Sequence, residues 1–220
     1  MKSVKTFMRK IRAYPAIASI LLLGLAFPIH GQAFDESMLR NGDLIFQTSR
    51  SGQSRAIQLA THSPYSHCGL VYFRGGKAYV FEASYKVKRS PFRRFIGKGQ
   101  DKSFAVKRLR KADSLLTRAN LEKMEKQAGK FEGLPYDSFF GWGDDKIYCS
   151  ELIYKIYYYA LGIEIGSLAK LKDFDLSNAV VSGKMRERYG EHIPWEEPVI
   201  SPASQFADSD LVEVYNNYGK

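Results

Sequence analysis

Apolar and polar positions along the chain alternate with two different periods, and the change of period marks out the elements. In "SRAIQLATHS", residues 54–63, Ala56, Ile57, Leu59 and Ala60 recur at helical spacing, predicting a short helix stopped before Pro64. "LLTRANLEKMEKQAGKFEG" places Leu121, Met124, Ala128 and Phe131 on one helical face, with Gly133 as its stop. The longest stripe runs through Cys149, Leu152, Ile153, Ile156, Tyr157, Ala160 and Leu161. It predicts an amphipathic core helix, started by Asp144 or Asp145 as a cap and ended by Gly162.

Elsewhere the period is two. "NGDLIFQTS", 41–49, reads as a turn followed by a buried strand, and "FAVKRLR", 104–110, as another. "SHCGLVYF" and "AYVFEAS" flank "RGGK", so Gly75-Gly76 is the turn of a hairpin. Arg74 then faces Lys77, and the numbers of paired residues sum to 151. After residue 172 the pattern becomes irregular, and "HIPWEEPVISPASQF" reads as extended wrapping. Strands grouped with helices on either side predict an α+β domain.

The hairpin register carries chemistry. His67, Gly69, Val71 and Phe73 share a face with Ala78, Val80, Glu82 and Ser84. His67 and Glu82 become diagonal neighbours, with Gly69 leaving room between them. A histidine with a carboxylate partner is a base with an orienter. A slip of one residue would put the two on opposite faces. The same alternation turns Cys68 to the other side of the sheet, with Leu70 and Tyr72, as a small core residue.

Cys149 stands in the first turn of its predicted helix. Free backbone N–H groups and the positive end of the helix dipole favour a thiolate there. Three readings are open for it: a buried structural thiol, half of a bridge with Cys68, and a nucleophile. The His67/Glu82 pair favours the nucleophile, with the backbone N–H of Cys149 as one oxyanion donor.

The first 33 residues read as an export signal. Lys2, Lys5, Arg9, Lys10 and Arg12 precede an apolar run from Ala16 to Phe27, shorter than the about 20 residues needed to span a bilayer. "GQA" supplies small residues for cleavage after Ala33, giving a periplasmic or secreted domain over 34–220. The formal charge of +10 falls to +5 without the five basic residues of the signal. Residues 86–111 hold eleven Lys or Arg against Asp101 alone. This segment reads as a solvated loop face or as a docking patch for anionic polymers or phospholipid headgroups. An exported chain makes nucleic acid a poor partner. His62 and His67 lack a metal-ligand spacing, so no metal is expected.

"GDLIFQTSRSGQSRAIQLATHSPYSHCGLV", "YVFEA", "GLPYDSFFGWGDDKIYCSELIYK" and "LKDFDLSNAVV" together resemble the YiiX-type permuted papain-like amidases. These belong to the wider NlpC-type cysteine hydrolases and are related to the lecithin:retinol acyltransferases. The resemblance runs from about Asn41 to about Phe206. It implies a circularly permuted papain-like fold, with a cysteine-bearing helix packed on a small antiparallel β-barrel or sheet, and no cofactor. It implies Cys149 as nucleophile, His67 as base and Glu82 as orienting residue. Tyr136, in "LPYD", matches a tyrosine that assists the oxyanion or the substrate in non-permuted relatives; as a residue it reads equally well as core. Where many relatives have "DCSG", this chain has "YCSE", so Glu151 replaces a small residue near the nucleophile. The expected function is an exported cysteine amidase or peptidase acting on a peptide or lipid amide of the cell envelope. The alternatives are a lipid-directed acyltransferase or lipid-amide hydrolase, and a non-catalytic binding module.

Overall fold

A computed structural model describes residues 34–219, so the predicted export signal, 1–33, lies outside the described residues. The strands are β1 (Leu44–Gln47), β2 (His67–Arg74), β3 (Lys77–Ala83), β4 (Val87–Pro91), β5 (Phe104–Leu109), β6 (Ala169–Lys170), β7 (Pro198–Val199) and β8 (Leu211–Asn216). The α-helices are α1 (Ser54–Thr61), α2 (Phe92–Lys98), α3 (Ala112–Leu115), α4 (Arg118–Phe131), α5 (Cys149–Leu161), α6 (Ala179–Tyr189) and α7 (Pro202–Phe206). Six strands form one antiparallel sheet in the order β4-β3-β2-β1-β5-β8, and β6 pairs with β7 separately.

The sheet has helices on both faces, and strand alternation decides which residue meets which helix. Leu44, Phe46, Cys68, Leu70, Phe81, Ala83 and Ala105 point to one side. There they pack against Met124, Ala128 and Phe131 of α4 and Leu152, Ile153, Ile156 and Tyr157 of α5. Ile45, Val71, Val80 and Val106 occupy the other face and are fully buried. Phe92 and Phe95 of α2 cover that face, Phe92 meeting Phe104 edge-on at 5.6 Å.

The hairpin register is the expected one: Leu70 faces Phe81, Val71 faces Val80 and Arg74 faces Lys77. Gly75 and Gly76 have φ of +57° and +74°, the positive values that a two-residue primed turn demands. Gly69 is required for the close approach, because a Cβ there would lie 2.3 Å from Val80 Cγ1. The helices predicted within 54–63 and 115–133 are present as α1 and α4, and the strands predicted within 41–49 and 104–110 as β1 and β5.

Several expectations are corrected. The basic segment is not a loop: it forms β4 and α2, with Val87, Ser90, Phe92 and Phe95 buried. The chain after 172 is not merely extended wrapping, for it forms α6 and α7 and returns as β8 beside β5. Neither Asp144 nor Asp145 caps α5. Residues 135–137 bridge to Ile147, so the chain arrives at the helix extended, and Tyr148 takes the N-cap position with φ −100° and ψ 170°. Glu151 supplies the cap, its Oε2 accepting from the Tyr148 N–H at 3.3 Å. Asp144 instead bonds Lys155 Nζ at 2.7 Å, and Lys155 also meets Glu151 Oε1 at 2.8 Å. The first nine residues of α5, Cys149 through Tyr157, are buried on every side, so the single apolar stripe understates its burial.

Candidate active site

His67 opens β2, Glu82 is the penultimate residue of β3, and Cys149 opens α5. Three element ends meet here. His67 Nε2 lies 2.8 Å from Glu82 Oε2, as the hairpin register requires. Glu82 is 1% exposed, and its Oε1 accepts from Ser90 Oγ at 2.6 Å and from Lys98 Nζ at 3.2 Å. The imidazole is stacked on Phe95, with ring centroids 5.4 Å apart. With Nε2 held by Glu82, Nδ1 is the nitrogen left for the Cys149 sulfur.

Electrostatics support an ion pair. A hydrogen bond from the Cys68 thiol, joined by the charge of His67, holds the Cys149 thiol well below the usual cysteine range despite burial. Burial opposes charge on His67, but the Cys149 thiolate and Glu82 outweigh it and raise its pKa to about 9. Burial likewise opposes charge on Glu82, yet His67, Ser90 and Lys98 bring it down to about 2. All three shifts favour the charged forms, thiolate, imidazolium and carboxylate. Cys149 is also the first residue of its helix, where its own N–H lacks an intrahelical acceptor.

Cys68 changes meaning. It is turned away from His67, as alternation demands, but toward Cys149 rather than out of the site. The reason is layering: α5 packs on the Cys68 face of the sheet, and α2 on the His67 face. The thiol and the backbone N–H of Cys68 both favour charge on the Cys149 sulfur. Both thiols are free, and burial pushes that of Cys68 well above its ordinary value. Its Sγ also lies 3.6 Å from Gln205 Oε1, whose Nε2 donates to the Ser150 carbonyl at 2.9 Å.

Tyr136 is brought to the site by its bridge to Ile147, two residues before Cys149. Its Oη accepts from Gln53 Nε2 at 2.8 Å, and burial pushes its hydroxyl well above the ordinary tyrosine range. Glu151 faces away into a buried cluster with Lys155, and burial raises its carboxyl to about 7 against the pull of that lysine. Ser90, Lys98, Gln53 and the thiol of Cys68 were not expected at the site. Ser90 and Lys98 lie in the basic segment, whose "VKRSP" shows no alternation. For Cys68, the only available signal was its place beside His67.

Cys149 opens into a narrow cleft of about 80 Å³. Ala56 and Ile57 of α1, Val181 and Met185 of α6, Leu171 and Ile200 give it an apolar wall. His67 and Glu82 border a second, more polar depression with Gln47, Lys98 and Arg188. Gln53, Ser66, Tyr136, Lys184 and Arg188 line both spaces, so an apolar compartment and a polar one adjoin beside Cys149.

A cysteine at the start of a helix, set against a histidine on an antiparallel sheet with the order His, acid, Cys along the chain, defines a cysteine hydrolase of permuted papain-like layout. Residues 38–215 match the model of the permuted papain-like amidase enzymes, YaeF/YiiX, C92 family, and the chain belongs to that family. It is 43% identical over 195 residues to the uncharacterized protein YiiX of Escherichia coli (strain K12), covering 89% of this chain and 94% of that protein. A crystal structure described as that of the metalloprotein YiiX from Escherichia coli O157:H7 is similar with a TM-score of 0.78 and 45% identity, covering 82% of this chain and 99% of the other. Among the described residues here, no three His, Cys, Asp or Glu side chains form a group that could hold a metal ion. The donors at the site are committed to one another, His67 to Glu82, and Glu82 to Ser90 and Lys98. The residues present do not fit a resident metal.

Proposed function

We propose that this cysteine hydrolase is exported and cleaves an amide of the cell envelope, with Cys149 as nucleophile, His67 as acid and base and Glu82 as orienting residue. The observation that carries the reading is that Cys149, His67 and Glu82 are buried together, His67 bonded to Glu82 and Cys149 lining an apolar cleft. Cys149 Sγ attacks the carbonyl carbon, and charge develops on the carbonyl oxygen near the Cys149 N–H and the Tyr136 hydroxyl. The C–N bond then breaks as His67 gives its proton to the departing amine. Water, deprotonated by His67, attacks the thioester and releases a carboxylic acid and the thiolate.

The apolar walls favour a lipid amide over a peptidoglycan stem peptide, because a polar peptide would gain little from Ile57, Val181 and Met185. Anionic docking through residues 86–111 is supported only narrowly. Arg89 pairs with Glu132 at 3.2 Å, Arg93 with Glu36 at 2.7 Å, Lys98 with Glu82 at 3.2 Å and Arg108 with Asp43 at 2.6 Å. Those four cations serve the fold or the site.

Incubation with cell-envelope extract, followed by mass spectrometry of the Cys149 peptide, tests the reading. An acyl mass trapped on Cys149, lost in His67→Ala, supports it. An unmodified Cys149 in every extract, together with thiol-probe labelling equal in the wild type and His67→Ala, sinks it.

A further inference from the structure

Three side chains from separate parts of the fold form a hydrogen-bonded chain that ends at the Tyr136 hydroxyl. Gln53 immediately precedes α1, Tyr136 sits on the segment that bridges to Ile147, and Arg188 lies in the last turn of α6. Arg188 Nη2 donates to Gln53 Oε1 at 2.8 Å, and Gln53 Nε2 donates to Tyr136 Oη at 2.8 Å. The order of these bonds matters. A guanidinium only donates, so the amide oxygen must face Arg188 and the amide nitrogen must face Tyr136. A phenol oxygen that accepts from an amide N–H keeps its own proton for donation to a third atom. Tyr136 and Cys149 both line the apolar cleft, so a group attacked by Cys149 enters the same cleft as that hydroxyl.

Arg188 is anchored a second time, by an aromatic ring. Its guanidinium lies 4.4 Å over the centre of the Phe140 ring. Its helix packs on α1 and contributes Val181 and Met185 to the cleft wall. A ligand that fills the cleft against those residues also bears on the helix that carries Arg188.

We propose that Gln53 and Arg188 are positioning residues that aim the Tyr136 hydroxyl at the oxyanion formed when Cys149 is acylated, so that seating of α6 on α1 governs acylation. This rests on the hydrolase reading above. No proton is transferred along the chain. As the Cys149 Sγ–C bond forms, the carbonyl oxygen takes up negative charge and accepts the Tyr136 O–H, whose donor strength is raised by the cation two bonds away.

Two reactions at one sulfur separate positioning from general damage. Acylation by p-nitrophenyl hexanoate passes through an oxyanion, whereas alkylation by iodoacetamide needs only the thiolate. Gln53→Leu and Arg188→Met are expected to slow acylation about tenfold, less than the roughly 100-fold of deleting an oxyanion donor outright. Alkylation should stay within about twofold of wild type. Arg188→Lys should recover part of the loss. In a Tyr136→Phe background the same substitutions should cost nothing further, since the group they aim is gone. Equal losses with and without the Tyr136 hydroxyl, or parallel losses in alkylation, overturn the proposal. A wild-type protein whose Cys149 is alkylated but never acylated overturns the hydrolase reading itself, and the relay with it.

Discussion

His67 and Glu82 were legible because period-two alternation and one glycine turn are enough to fix a hairpin register, and the register fixes who can touch whom. Cys149 was legible as a helix start beside an apolar stripe. Cys68 was legible as a core residue turned from His67, but not as a neighbour of Cys149, because alternation gives the face of a residue but not which helix covers that face. The ion pair makes a pH prediction. His67 has its pKa raised to about 9 from 6.5, so its contribution to stability is full below about 6.5 and is lost as pH rises through about 9. Glu82 is lowered to about 2 from 4.5, so its contribution is present above about 4.5 and is lost as pH falls through about 2. Glu82→Gln removes a charge that holds the imidazolium. The alkaline limb of the acylation rate, set near pH 9 in the wild type, should move down by a unit or more in this variant. An unmoved limb would show that Glu82 does not support the charge on His67. Gly69→Ala tests the same hairpin sterically. With Val80 Cγ1 only 2.3 Å from the new Cβ, the fold should lose about 1–3 kcal/mol in urea unfolding, where an open position would cost almost nothing.

At the scale of elements, the sequence revealed what its periodicity could carry. The stripes of α4 and α5 and the alternation of β2 and β3 are strong, and those elements stand where they were expected. β4 is short and basic, and as an edge strand it buries only Val87 and Ser90. α6 buries only Val181 and Met185, so its apolar pattern is too sparse to read. β8 is held by pairing with β5 across a bulge, a contact far in sequence that no local pattern encodes. The start of α5 rests on an unexpected device. Glu151 caps the helix at Tyr148 while sharing Lys155, itself 2% exposed, with Asp144 and the Gly143 carbonyl. This explains why a glutamate can stand two residues from Cys149: it faces the core, not the cleft. Glu151→Ala should cost about 3 kcal/mol, at the low end for breaking a buried pair because Asp144 remains. Glu151→Gln should cost less, since an amide oxygen can still accept from the Tyr148 N–H. Urea unfolding of the two variants gives the comparison, and equal losses would mean that the cap contributes nothing.

At the scale of the molecule, the site is an accident of neither layer alone. The hairpin brings His67 and Glu82 to one end of its strands, α5 brings Cys149 from the opposite face, and α1 and α6 wall the cleft. No periodicity within a segment predicts such a cleft, because its walls come from stretches more than 100 residues apart in the chain, from Ala56 to Met185. Its lining nevertheless makes a quantitative demand. If the acyl part of the substrate lies against Ile57, Val181 and Met185, each methylene that leaves water contributes about 0.8 kcal/mol, or roughly fourfold in rate when the contact is held in the transition state. Acylation of Cys149 by p-nitrophenyl esters should therefore rise with chain length from acetate to hexanoate. Ile57 is half-buried on α1, so Ile57→Trp can fill the cleft from its wall without replacing a fully buried residue. The variant should keep its iodoacetamide alkylation rate and its reactivity toward the acetyl ester while losing most of the gain with length. A flat dependence in the wild type would mean that the acyl group lies in the polar depression beside Lys98 and Arg188, and the lipid-amide reading would yield to a peptide substrate.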